Sequence, residues 1–266
     1  MSKTIAVIFD FDETLASDSS VGFTNSLGVD FDIFWRQELK SMLDDGWDPV
    51  PAYMHKIIKL AQTKKVNKQA FRKFGEQIKF FPGVVRLFAN LREEVKKLNS
   101  QHGNQVELDF YLISSGIGEI IRHSKIAKEF KEIWSCEFEY DGKGVPLAPK
   151  KVISFTDKTR YIFQIGKGLV GEKYRKDPFA VNYRMDYQIP LNQMVYIGDG
   201  MTDVPCFSLM QKNGGVAYAV YSSSPEKAWQ FTTSNRVNTV IEASYGTQGN
   251  SYKMIVAGIK NIYGKI

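Results

Sequence analysis

Two pairs of aspartates, each following an apolar run, are the side chains in this sequence best suited to chemistry. Ile5 to Phe9 lead into Asp10-Phe11-Asp12-Glu13-Thr14, and Met194 to Ile197 lead into Gly198-Asp199-Gly200-Met201-Thr202-Asp203. A short apolar run that breaks into polar residues reads as a buried strand delivering its last side chains to a sheet edge. Two carboxylates one residue apart at such an edge repel each other unless a cation or a reaction holds them there. The pattern predicts a divalent-metal site in which one carboxylate attacks and the other moves protons. Either motif alone is satisfied by turn and helix-capping aspartates. Both together, each after an apolar run, point to one shared cation.

The elements around these motifs alternate between strand and helix. Residues 31–43, 50–62 and 67–78 carry apolar side chains at helical spacing, with Asn67 as N-cap of the third, and 84–98 continues the pattern after Phe81-Pro82-Gly83. Strand character resumes at 106–113 and 133–140, with 145–152 as an antiparallel extension, and then at 194–197, 216–220 and 237–241, the last an edge strand. Helices are expected over 119–131, 158–167, 204–211 and 251–263. This alternation predicts an α/β fold: a doubly wound, mostly parallel, Rossmann-like sheet with its site at the C-terminal strand ends. Residues 16–81 form a helical insertion between the first and second strands. Residues 166–190 are charged and aromatic without a clear period and read as a surface excursion.

At these residues the chain resembles the haloacid dehalogenase-like (HAD) hydrolase superfamily, most of whose members are Mg-dependent phosphatases. Asp10, Asp12 and Thr14 match its first motif, Ser114 closing a strand matches the second, and Gly198-Asp199 through Asp203 match the fourth. The motifs occur in family order across most of the chain, in the phosphoserine-phosphatase-like arrangement. The resemblance implies a catalytic core of residues 1–15 and 82–266 and a cap domain of residues 16–81, which closes over the site to control water and opens to admit substrate. Superfamily dehalogenases lack an acid at the position of Asp12, so Asp12 argues against dehalogenation.

The expected reaction is hydrolysis of a phosphomonoester. Asp10 is the expected nucleophile, forming an aspartyl-phosphate, and Asp12 the acid/base that protonates the leaving oxygen and then deprotonates water. Mg²⁺ takes oxygen ligands, and Asp10, the Asp12 backbone carbonyl and Asp199 suit it; the carbonyl role is implied by the resemblance alone. Asp203 is either a water-mediated ligand, a loop-orienting group or a cap of the next helix. Ser114, with the amides of Ser115 and Gly116 at a helix start, is expected to bind the substrate phosphate. Phosphoserine-phosphatase-like members carry Ser-Gly-Gly there, so Ser115 replaces a glycine. Lys158, in Asp157-Lys158-Thr159-Arg160, is the expected third-motif cation, with Lys151, Lys167 and Lys173 as rivals. Ser17, Asp18, Ser19, Arg36 and Arg72 are candidates for substrate selection. A same-fold phosphotransferase or mutase, and a non-catalytic binder that retains the metal site, are the alternatives.

Composition narrows the setting. A 266-residue chain with 43% hydrophobic and 24% charged residues suits one α/β core with a smaller module. No run reaches the roughly eighteen apolar residues of a membrane span. The first strand begins so early that no signal peptide is expected. Cys136 and Cys206 lack metal-ligand spacing and favour a reducing, cytoplasmic setting. The net charge of +6 is spread along the chain, which fits a solvated basic surface better than nucleic-acid binding. The expected partner is a phosphorylated small molecule. The three histidines share no spacing and are read as incidental.

Overall fold

Apolar runs bounded by glycine and acidic turns become the central strands of the computed structural model, which describes residues 3–266. In chain order, β1 (Thr4–Phe9) is followed by α1 (Ser19–Ser26), a π-helix (Asp32–Leu39) continued by α2 (Lys40–Asp44), α3 (Pro49–Lys64) and α4 (Lys68–Gln77). Next come α5 (Val84–His102), β2 (Glu107–Ile117), α6 (Gly118–Ile121), β3 (Glu132–Tyr140), β4 (Pro146–Lys151), α7 (Asp157–Gly166) and α8 (Glu172–Arg175). The remainder is β5 (Met194–Gly198), α9 (Val204–Lys212), β6 (Val216–Tyr221), α10 (Pro225–Thr233), β7 (Thr239–Glu242) and α11 (Asn250–Tyr263).

The strands form one seven-stranded sheet in the order β4-β3-β2-β1-β5-β6-β7. All neighbours are parallel except β3 and β4, which pair antiparallel as the sequence predicts. The fold is a doubly wound, mostly parallel, Rossmann-like α/β sheet. β1 lies at the centre, flanked by β2 and β5, so the chain winds outward from it in both directions. That reversal of strand order opens a crevice at the C-terminal strand ends. The Asp10 amide donates to the Ile197 carbonyl (2.8 Å), which brings the two acidic motifs side by side.

Alternate side chains of β1 serve the two faces of the sheet. Ala6 and Ile8 join a cluster with Phe207, Met210 and Trp134, whereas Ile5, Val7 and Phe9 pack with α5 and α11 through Leu87, Phe88, Ile255 and Ile259. Residues entering and leaving the helical insertion pair with each other: Ala16 bridges Phe80, and the Phe81 amide donates to the Leu15 carbonyl (3.0 Å). Apolar residues of the inserted helices, including Phe23, Met54, Ile57 and Phe71, share a cluster with Tyr111, Ile113 and Phe138 of the sheet.

Several sequence expectations change. The helix expected over 119–131 is a four-residue turn, α6, followed by tight turns and a 3₁₀ segment at Ala127–Glu129. β2 runs on to Ile117, which pairs with Cys136, and this extension consumes the residues a longer helix needs. Apolar Ile121 and Ile126 are buried by a compact turn instead. Stretch 31–43 opens as a π-helix, and α1 and α10 were not expected. The 166–190 excursion holds α8 and is fixed to the sheet by buried Glu132, which accepts from the Gly171 amide (3.0 Å) and Arg175 (2.8 Å). Among the described residues no helix is long and apolar enough to cross a membrane.

Candidate active site

Asp10 follows the last residue of β1 and is nearly buried. Its Oδ1 accepts from the Phe11 amide (2.7 Å), and its Oδ2 accepts from Lys158 Nζ (3.0 Å). Lys158, in the first turn of α7, is wholly buried and also donates to Asp203 Oδ1 (2.6 Å). Asp203 holds this arrangement from below: it accepts from Tyr196 (2.6 Å) and, through Oδ2, from the Gly200 amide (3.1 Å). Asp203 precedes α9 but its side chain caps no amide of that helix, contrary to the capping expectation; it bonds back to Gly200 within the preceding turn. Carboxylate oxygens of Asp10, Asp199 and Asp203 all lie within 4.8 Å of one another. Asp199 has no hydrogen-bond or ion-pair partner for its carboxylate among the described residues.

These contacts set the charges. Burial, the Lys158 ammonium and the Asp203 carboxylate act on Asp10, the first outweighing the second, and lift its carboxyl to about 6. Burial and the charges of Asp10 and Asp203 lift Asp199 well above the usual carboxylate range. Burial alone would lower Lys158, but Asp10 and Asp203 outweigh it and keep the ammonium charged. Three carboxylates against one ammonium leave an excess of two negative charges when all are ionised. Hard oxygen donors and a charge deficit of two fit a divalent cation such as Mg²⁺.

Asp12 stands apart from this cluster. Its Oδ1 accepts from the Ser19 amide (2.7 Å), and burial, followed by the Asp18 charge, raises its carboxyl well above the usual range. Two glycines make room for the carboxylates. A Cβ on Gly116 would lie 2.4 Å from Asp12 Oδ2, and one on Gly198 would lie 2.5 Å from the Asp203 carboxyl carbon. Ser114 is buried and accepts from the Gly116 amide (2.9 Å), while the buried Ser115 hydroxyl has no partner. Neither Ser115 nor Gly116 lies at a helix start, because β2 continues through both; the four-residue α6 begins only at Gly118.

Above these groups opens a cavity of about 350 Å³, lined by Asp10, Asp12, Ser114, Ser115, Gly116 and Asp199. Its outer wall is Glu13, Asp18, Trp35, Tyr53, Phe155 and Met201, of which only Asp18 was a sequence candidate. Glu13 adopts a left-handed backbone (φ 53°) and ties the loop at both ends, accepting from the Asp18 amide (2.9 Å) and from Ser222 Oγ (2.5 Å). Trp35, on the π-helix, donates to Thr24 (2.9 Å), and Tyr53 of α3 donates to the Ser115 carbonyl. Arg36 and Arg72 do not line this cavity. Arg36 pairs with Asp32 at the surface, and Arg72 with Glu119. Lys151, Lys167 and Lys173 are also absent from it, as are all three histidines. Cys206 is buried, and burial raises its thiol, first among several causes.

Residues 5–222 match the family described as "Putative Phosphatase". An uncharacterized protein of Borreliella burgdorferi is 28% identical over 96% of both chains. An apo phosphoserine phosphatase structure covers 90% of this chain and 93% of its own at 15% identity, with a TM-score of 0.57. A HAD-family hydrolase of Salmonella enterica serovar Typhi covers 90% of this chain and 67% of its own (13% identity, TM-score 0.56). A phosphoserine phosphohydrolase-like protein of Francisella tularensis covers 91% and 95% (17% identity, TM-score 0.52). At these identities the solved structures establish the fold, and the family match supplies the activity class. The chain therefore has the fold of HAD-family hydrolases and belongs to the Putative Phosphatase family, as a phosphomonoester hydrolase.

Proposed function

We propose that Asp10 attacks the phosphorus of a phosphomonoester and forms an aspartyl-phosphate, which water then hydrolyses. The observation that carries this reading is the convergence of Asp10, Lys158, Asp199 and Asp203 beneath a cavity that Asp12 also lines. In the first step the Asp10 carboxylate oxygen bonds to phosphorus as the bond to the leaving oxygen breaks. Asp12, whose raised carboxyl favours the protonated form, gives its proton to that oxygen. In the second step the Asp12 carboxylate takes a proton from water, which attacks phosphorus, frees inorganic phosphate and regenerates Asp10. Lys158 keeps Asp10 ionised and aimed, and the hydroxyls of Ser114 and Ser115 hold phosphate oxygens.

Asp10 and Asp199, supported by Asp203, would hold Mg²⁺. When bound, it supplies positive charge against the phosphoryl oxygens. Residues 16–81 serve as the specificity wall, since they contribute Asp18, Trp35 and Tyr53 to the cavity. The wall carries carboxylates and rings and no Lys or Arg, so a leaving alcohol with further phosphates would meet charge of its own sign. A neutral or positively charged leaving group suits Glu13, Asp18 and the Trp35 ring.

The test is phosphate release from phosphomonoesters with anionic, neutral and cationic leaving groups, with and without Mg²⁺. Release should vanish in EDTA and return with Mg²⁺. Ca²⁺ should support it poorly, because its larger coordination shell engages Asp10 and spoils the attack. Full activity in chelator would overturn the metal assignment, and a preference for anionic leaving groups would overturn the reading of the wall.

A further inference from the structure

A second cleft, of about 540 Å³, shares no lining residue with the carboxylate cavity. Its walls come from the start of α4, α6 and the turn after it, β3, β4, α7 and the 166–190 excursion. Seven Lys or Arg residues line it against three acidic ones, so the cleft is as strongly basic as the catalytic cavity is acidic. Most of these cations have partners. Glu137 serves both Arg122 (2.6 Å) and Lys151 (3.7 Å), Glu132 holds Arg175, and Glu172 holds Lys176 (2.5 Å). Lys150 and Arg160 have no carboxylate within ion-pair distance among the described residues, although Arg160 donates to the Tyr161 hydroxyl and lies over its ring. Burial, together with the charges of Arg122, Arg160 and Arg175, lowers Lys151 against the pull of Glu137, as expected where cations outnumber anions.

An independent feature lies in the same wall. Gln164 is 3% exposed, lines the cleft, and leaves its carboxamide oxygen without a hydrogen-bond partner. A buried unsatisfied acceptor is costly unless a ligand or an ordered water completes it. The wall opposite α7 is held in place: the Lys151 ammonium donates to the Arg175 carbonyl (3.2 Å), and buried Glu132 anchors Gly171 and Arg175. The excursion thereby presents Tyr174, a half-buried ring, beside the unpaired cations.

We propose that this cleft binds a small polyphosphorylated molecule that also offers a hydrogen-bond donor, the chemistry of a nucleoside di- or triphosphate. The phosphates would lie against Lys150 and Arg160, where charge-assisted bonds form without breaking an ion pair. A sugar hydroxyl or a base amine would donate to the Gln164 oxygen, with the base against Tyr174. The volume falls within the range of small-molecule sites.

Calorimetry on the full chain tests this, with a methylene-bridged analogue of adenosine triphosphate, inorganic tripolyphosphate and adenosine as probes. The analogue should bind saturably, more tightly than either fragment. Lys150→Ala with Arg160→Ala should weaken the analogue and tripolyphosphate by about tenfold or more, the effect of losing charge-assisted bonds. Gln164→Leu should weaken only the analogue. Lys150→Glu, at an exposed position, should also weaken the analogue while leaving kcat/KM for phosphomonoesters unchanged, which guards against a folding defect in the double variant. Unaltered affinity in the charge variants, displacement of the analogue by inorganic phosphate at the catalytic cavity, or no saturable binding would each overturn the proposal.

Discussion

Lys158 and Arg160 stand two residues apart on α7 in opposite electrostatic situations. Lys158 is wholly buried and answers two carboxylates, whereas Arg160 lines an open cleft and answers none. The comparison teaches how one helix can serve two purposes. A cation whose charge is already balanced organises its neighbours: Lys158 fixes Asp10 and Asp203 in the positions that the proposed attack and support roles need. An unbalanced cation is left with affinity for something that arrives. The same division holds for the cavities, one walled by carboxylates over a three-aspartate cluster, the other walled by lysines and arginines.

The largest expected effect comes from Asp10→Asn. It preserves size and removes the proposed anionic nucleophile, so kcat should fall by about a thousandfold or more. The fold should survive with a Tm at or above the parent's, because a buried charge is removed. Retention of more than about a tenth of the parent activity, measured by phosphate release, would be inconsistent with a covalent role, since essential groups contribute a hundredfold or more.

Lys158→Ala sharpens the comparison directly. It leaves Asp10 and Asp203 buried without their cation, which should destabilise the protein by about 3–5 kcal/mol in urea unfolding. It should also lower kcat/KM for all phosphomonoesters together. Arg160→Ala, which removes a bond to the Tyr161 hydroxyl and no ion pair, should shift stability by about 1 kcal/mol or less. Equal stability losses in the two variants would erase the distinction.

The cavity's charge also makes a pH prediction for the metal-free protein. Asp10 is raised to about 6 in the folded state, so its favourable protonated form is fully present below the usual carboxylate pKa. That stabilisation is lost as pH rises through about 6, on the order of 2–3 kcal/mol. Asp12 and Asp199 are raised as well and act in the same direction. Melting in EDTA should therefore show stability falling between pH 5 and 7, and saturating Mg²⁺ should flatten that slope by binding the ionised cluster. A rise in stability over this interval in EDTA would contradict the charge assignment.

A smaller effect belongs to the outer wall. Trp35→Ala and Asp18→Asn should reorder substrates by a few-fold, on the scale of a single cation–π or surface charge contact. They should not depress all substrates equally. These residues replace Arg36 and Arg72 as the positions to test.

What was legible in the sequence follows from how locally each feature is encoded. Asp10, Ser114 and Asp199 each close an apolar run, with Asp12 and Asp203 a few residues beyond, and a buried strand delivers the residues at its end to the sheet edge whatever the rest of the chain does. Lys158 carries no such signal: it reaches Asp10 across 148 residues of sequence, and only the family resemblance pointed to it. Trp35 and Tyr53 were missed because their direction depends on how the π-helix and α3 pack on the sheet. Helical periodicity marked both stretches as apolar without saying which ring turns inward. The stretch 119–131 misled for a related reason: its apolar spacing suits a helix, but β2 had already used the chain through Ile117. The basic cleft was illegible, since its cations come from five separate elements or loops.

The most direct measurement is a rapid-quench single turnover followed by mass spectrometry of the peptide containing Asp10. The proposed mechanism predicts a transient phosphoryl group on Asp10 that survives the acid quench, that hydroxylamine cleaves to inorganic phosphate and an aspartyl hydroxamate, and that is absent from Asp10→Asn. Complete turnover with no phosphoryl group on that peptide at any quench time, or a hydroxylamine-resistant phosphoryl group on another residue, would contradict it.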